Sequence, residues 1–305
     1  MLTKEAIEKR LIQNRALFNN IFVFEQQFDI LPNSHPHFGA AIAYQDIEEL
    51  RDSFLKKLED TIPEWIYGLD KYKDLMQKYI KAGDTVISAA SEIQRKAKQK
   101  FRRGNNNSLL IQGQLGELLL FHFIQRIKGA VPLLRKMPIT TSSDLERHGA
   151  DAIHYNVDEN GKSILYLGEA KAYTSKYRFA AAFGDALDSI LSTYDSYRHE
   201  LNLYLHEDFL DSELNEVAEA ILTNTLQNYE VHLVSLILYC ETSKIMRTTQ
   251  SEIQEQILSI ISKRYGDFDN NRIDIIGHPI LHRITYIVFP VWEFEQLAID
   301  FQKCL

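Results

Sequence analysis

The chain is poor in cysteine: Cys240 and Cys304 are the only two in 305 residues. Two thiols so far apart build neither a disulfide scaffold nor a zinc site, and a reducing cytoplasm is the expected setting. Long apolar runs are also lacking. The longest, residues 234–240 and 286–292, are of strand length and too short to span a bilayer. Residues 1–15 mix Lys4, Glu5, Glu8, Lys9 and Arg10 with apolar positions, so no signal-peptide core is expected. Positive charge is not in excess. Lys and Arg number 34 against 42 Asp and Glu, a formal charge of −8. That balance excludes coating nucleic acid by bulk attraction, so any polyanion must meet a local basic patch. No internal repeat or low-complexity block appears.

What is present is an ordinary globular composition, 45% apolar and 25% charged. The length allows one large domain or two modest ones. The pattern predicts a helix over residues 4–18, an amphipathic helix over 44–58, and helical segments over 71–90 divided at Gly83-Asp84. A basic run from Arg95 to Arg103 ends at Gly104, and Asn105, Asn106, Asn107 and Ser108 follow as a breaker with a helix cap. The main boundary is placed there, with residues 1–104 as an N-terminal regulatory or partner-docking region and 105–305 as the core. An apolar helix over 109–127 carries Glu117. Strands over 131–139, 149–157 and 163–171 follow, then helices over 176–204 and 210–227, a strand over 231–240, a helix over 251–265, a strand over 282–291 and a closing helix. That order argues for an α/β (α+β) fold with a mixed central sheet and helices on both faces.

The chemistry is expected at residues 164–171, Ile-Leu-Tyr-Leu-Gly-Glu-Ala-Lys. Alternation sends Leu165, Leu167, Glu169 and Lys171 to one face and Ile164, Tyr166, Gly168 and Ala170 to the other. The strand is apolar on both faces until its end, so it is central, and the charges there need partners to offset desolvation. Asp158-Glu159-Asn160-Gly161 is a hairpin turn signal. An antiparallel hairpin brings Asp151, at the start of its first arm, beside Glu169 and Lys171. Two carboxylates and an ammonium suit a hard cation such as Mg²⁺ or Mn²⁺, with a scissile phosphate completing the shell. Glu117 can supply a third acid from the preceding helix. A Glu-x-Lys tripeptide arises by chance about once in such a chain, so its context carries the weight.

An Asp, a hairpin and Glu-x-Lys after a Glu-bearing helix resemble the PD-(D/E)xK superfamily of restriction-endonuclease-like nucleases, over residues 108–291. Within it, Gly116-Glu117, His148-Gly149-Ala150-Asp151 and Gly168-Glu169-Ala170-Lys171, with an N-terminal extension, look most like the HamA family, nuclease subunits of the Hachiman anti-phage defence system. The resemblance implies metal-dependent DNA cleavage, with Asp151, Glu169 and Glu117 as metal ligands, Lys171 as a further catalytic residue, and restraint by a partner helicase, HamB. Two departures stand out. The superfamily's Pro-Asp is Ala150-Asp151 here, expected to lose only a backbone preference. No Gln occurs between Lys176 and Tyr204, so the Gln-x-x-x-Tyr element of RecB-like nucleases is absent.

Lys176 and Arg178, just past the strand, and Arg102 and Arg103 in the basic run are the candidate DNA contacts, against the plainer reading of a solvated charged face. His148 and His154 flank Asp151 and are read as hydrogen-bonding residues before metal ligands. Tyr194 and Tyr197 are read as packing. Ser142 and Ser143 lack a His and acid at usable spacing. Two competing functions remain open: a non-catalytic nuclease-fold subunit that binds DNA or a helicase, and cleavage of RNA.

Overall fold

The computed structural model describes residues 2–100, 108–134, 150–174, 179–204 and 212–305. The elements run α1 (Lys4–Glu8), α2 (Arg15–Phe18), β1 (Ile21–Gln26), β2 (His37–Ile42), β3 (Tyr44–Gln45), β4 (Glu48–Glu49), α3 (Arg51–Asp60), α4 (Ile62–Lys81), α5 (Val86–Lys98) and α6 (Ser108–Lys128). They continue with β5 (Val131–Leu134), β6 (Ala152–Val157), β7 (Ser163–Tyr173), α7 (Phe179–Tyr204), α8 (Ser212–Leu222), β8 (Tyr229–Glu241), α9 (Gln250–Gly266), β9 (Ile284–Trp292) and α10 (Phe294–Cys304).

Seven described strands form one mixed sheet in the order β1-β2-β9-β8-β7-β6-β5. β7, β8, β9 and β2 are mutually parallel, β6 on one side and β1 on the other run against them, and β5 pairs antiparallel with β6. The parallel strands carry apolar residues on both faces, as covered parallel strands must. One face packs Leu165, Leu167, Leu233 and Ile237 against Phe183, Ala186 and Ile190 of α7. The other packs Tyr166, Val234, Leu236 and Leu238 against Leu118, Phe121 and Ile124 of α6.

The hairpin between β6 and β7 forms as its turn chemistry predicts. Asp158 Oδ1 accepts from the Asn160 and Lys162 N–H groups, each at 2.8 Å, and Gly161 takes a left-handed φ of 75° that favours glycine. Gly83, with φ 106°, separates α4 from α5 at the predicted break. Both cysteines are free thiols, and among the described residues no helix is long and apolar enough to cross a membrane.

Two N-terminal expectations are corrected. The helix predicted over 4–18 is two short ones, because a tertiary partner competes for its middle: the Ile12 N–H donates to Gln125 Oε1 of α6 at 3.1 Å. The helix predicted over 44–58 starts only at Arg51. Buried Tyr44 and Gln45 turn through left-handed Asp46 and pair with Glu49 and Glu48, leaving Ile47 40% exposed. β1 and β2, from the N-terminal region, extend the central sheet, Phe38 pairing with Ile287 and Gly39 with Val288.

Candidate active site at the β6 and β7 fork

β6 and β7 pair from Val157 opposite Ser163 to Ala152 opposite Gly168. Beyond that point β7 runs on to Tyr173 beside β8 alone. The strand partner is lost at Asp151, and its side chain completes the ladder. The Asp151 N–H donates to the Gly168 carbonyl at 3.0 Å, and Asp151 Oδ2 accepts the Ala170 N–H at 2.9 Å, where a backbone carbonyl would otherwise be required. Asp151 continues the face of Ile153 and Tyr155, which is also the face of Glu169 and Lys171.

Glu169 is 3% exposed on that face, beneath α7. Ser189 Oγ donates to its Oε2 at 3.0 Å and Thr193 Oγ1 to its Oε1 at 2.5 Å. Lys171 Nζ lies 3.8 Å from Glu169 Oε2, with 29% of its side chain exposed. A buried carboxylate is stable only with donors or a cation to replace water, and this one has both. Next to Asp151, the Ala150 N–H donates to Oε2 of buried Glu200 on α7 at 2.8 Å. Proline has no such hydrogen. The departure from Pro-Asp therefore does more than relax the backbone, contrary to the sequence expectation: it supplies a donor to a buried acid.

Gly168 faces α6, where an added Cβ would stand 2.8 Å from Ile124 Cδ1 and 3.0 Å from Leu120 Cδ2. Only glycine lets helix and strand approach so closely. Gly116 plays the matching part on the helix, since a Cβ there would lie 3.3 Å from the Ala170 Cβ. Half-buried Glu117 follows Gly116, so it stands at the Ala170 end of β7 but on the helix that covers the opposite face from Glu169.

The structure thus brings Asp151, Glu169 and Lys171 to one face at one strand end, while Glu117 stands on α6, the helix over the other face. Among the described residues, no three His, Cys, Asp or Glu side chains cluster as a metal cage. Two carboxylates on one face nevertheless match in donor type what Mg²⁺ takes, since that ion is commonly held through one or two carboxylates plus phosphate. His154 turns to the α6 face, 1% exposed, its ring 5.6 Å from that of Phe121, and does not join the acids. Tyr194 and Tyr197 stack on one another at 6.0 Å, as packing residues do. In the basic run, Arg95 and Lys96 pair with Glu92, and Lys98 with Glu59 and the Cys304 carbonyl. Arg102, Arg103, Ser142, Ser143, His148, Lys176 and Arg178 lie outside the described residues.

Sequence reasoning missed Ser189, Thr193 and Glu200. The signal was available: with Ala182, Ala186 and Tyr197 they form a stripe at helical spacing in which small polar residues replace the apolar ones a core helix needs.

A family model described as HamA matches residues 16–305, nearly the whole chain. The chain belongs to the HamA family. Membership fits an effector of anti-phage defence, the Hachiman system, and a multi-component assembly in which the chain has a partner. Within the match lie β1 and β2 as well as the fork, so the family unit covers the whole sheet. No curated protein matches the chain.

Proposed function

We propose that this HamA-family chain is a metal-dependent DNA endonuclease of the PD-(D/E)xK type, restrained by a HamB-like helicase until infection. The observation that carries this reading is the meeting of Asp151 and Glu169 on one face where β6 leaves β7, with Lys171 Nζ 3.8 Å from the Glu169 carboxylate. A divalent cation held by Asp151 and Glu169 would polarise the scissile phosphodiester and acidify a water beside it.

The chain's own groups account for the rest. Ser189 and Thr193 fix the plane of the Glu169 carboxylate, so its oxygens need not reorganise when substrate arrives. Lys171, partly exposed, places an ammonium where negative charge builds on the phosphoryl oxygens. Burial of Glu169 strengthens each of these interactions by excluding water. Asp151 gives one oxygen to the Ala170 N–H, and Lys176, Arg178, Arg102 and Arg103 would meet the DNA backbone. Glu117, on the far face, is assigned a supporting role through water or a second cation.

The deciding assay is cleavage of plasmid and linear DNA by the purified chain with Mg²⁺ or Mn²⁺, beside Lys171→Ala and a matched RNA. Cleavage of DNA by the native chain alone is expected. Undiminished cutting by a contaminant-free Lys171→Ala preparation removes the assignment. One observation favours a non-catalytic, DNA- or helicase-binding reading: both Glu169 oxygens and one Asp151 oxygen already accept from protein donors. A site of that kind shows no metal-linked stabilisation.

A further inference from the structure

On the α6 face of the sheet, away from Glu169, a cavity of about 730 Å³ opens between β1, the C-terminal turn of α6 and the first residues of β8 and β9. Its size falls within the roughly 300–1,000 Å³ of small-ligand sites. Its wall is cationic in a chain of net negative charge: it carries Arg126, Lys128 and Arg283 with one lining carboxylate, Glu25, while Glu230 behind the wall pairs with Arg283.

Two of these cations rest on aromatic rings. Lys128 Nζ lies 5.8 Å from the centre of the Phe38 ring, and the Arg126 guanidinium 5.7 Å from that of Phe18. Among the described residues, neither has a carboxylate within ion-pair distance. A ring face holds a cation without neutralising it, so both remain available to an anion. The dipole of α6 accounts for basic residues in its last turn. It does not account for Arg283, 3.3 Å from Glu230, or for His282, which come to the same cavity from the segment before β9. Burial lowers the Lys128 pKa to about 8, the mark of an ammonium short of compensating charge. The remaining wall mixes polar His35, His232 and Thr285 with an apolar and aromatic part that includes Phe18, Tyr166 and Val23, the last 40% exposed.

We infer that this cavity binds a nucleoside phosphate, the phosphate on Lys128, Arg126 and Arg283 and the base against Phe18, Val23 and Tyr166. Arginine and lysine supply the charge-assisted donors a phosphate requires, and a planar base matches the aromatic wall. The site is separate from the fork: Tyr166 and Glu169 lie on the same strand but point to opposite faces. A free nucleotide and the phosphorylated end of a nucleic acid present the same chemistry.

The test is calorimetric titration of the full chain with each of the four deoxynucleoside 5′-monophosphates, the corresponding nucleosides, inorganic phosphate and a 5′-phosphorylated dinucleotide. At least one monophosphate is expected to bind saturably, and its nucleoside and inorganic phosphate at least about tenfold more weakly. Arg126→Ala, at an exposed position that leaves the core intact, and Lys128→Met are each expected to weaken binding about tenfold or more. A dinucleotide that binds as tightly as the monophosphate assigns the site to a nucleic-acid end, and one that binds more weakly assigns it to a free nucleotide. Absence of saturable binding by every probe overturns the inference. So does unchanged affinity in a folded Arg126→Ala variant, or phosphate binding as tightly as the monophosphate.

Discussion

Thr193 Oγ1 on α7 donates to Glu169 Oε1 on β7 at 2.5 Å, across the interface between helix and sheet. The contact ties the orientation of a proposed metal ligand to the packing of a helix. Thr193→Val keeps the shape and removes one donor from a buried carboxylate. A loss of about 1–3 kcal/mol in urea unfolding is expected, with slower DNA cleavage. Full stability and full activity in the variant would show that the hydroxyl is dispensable.

Metal binding can be tested apart from catalysis. The unfolding temperature of the native chain is expected to rise with Mg²⁺ or Mn²⁺, by an amount equivalent to about 2.7 kcal/mol at a hundred times the dissociation constant. Asp151→Asn keeps an acceptor for the Ala170 N–H but loses the charge, so the rise should shrink or vanish. Equal metal-linked shifts in the two proteins place the cation elsewhere.

A proline before Asp151, as in the Pro-Asp of the nucleases the chain resembles, is expected to harm this chain. Ala150→Pro deletes the N–H that Glu200 accepts at 2.8 Å inside the fold. The predicted cost is about 1–3 kcal/mol, read from the unfolding midpoint. Glu200→Gln should reduce that penalty, since a neutral amide loses less than a carboxylate when one buried donor is removed. A neutral or stabilising Ala150→Pro contradicts the role given to this hydrogen bond.

Two buried imidazoles set the response to acid. Burial lowers His122 to about 3 and His37 to about 4, the latter despite its bond to the Pro32 carbonyl. The unfolded chain takes up these protons near pH 6.5, the folded chain only below those values. Between them the unfolded state binds more protons, so stability falls as the pH falls from about 6.5 toward 4. The slope is about 1.4 kcal/mol per pH unit for each histidine. His122→Gln, which stays neutral, should flatten the acid limb of an unfolding-temperature curve. An identical limb in variant and parent would remove His122 as a cause.

The sequence by itself determined the β6–β7 hairpin, the long α6, the central strands and the shared face of Glu169 and Lys171. Each follows from local rules. Side chains alternate along a strand, Asp158 and Gly161 make one kind of turn, and an apolar run between breakers is buried whatever covers it. The turn also fixed the register that carries Asp151 to Glu169, so the fork was legible from residues close together in the chain.

Only the tertiary structure decided that β1 and β2 join the sheet beside β9, that Ser189 and Thr193 hold Glu169, and that α6, which carries Glu117, covers the opposite face. It also decided that Arg126, Lys128 and Arg283 surround one cavity. These relations join segments distant in sequence, and no local preference encodes them. They are settled by which apolar surfaces bury one another and by where each buried polar group finds its partner.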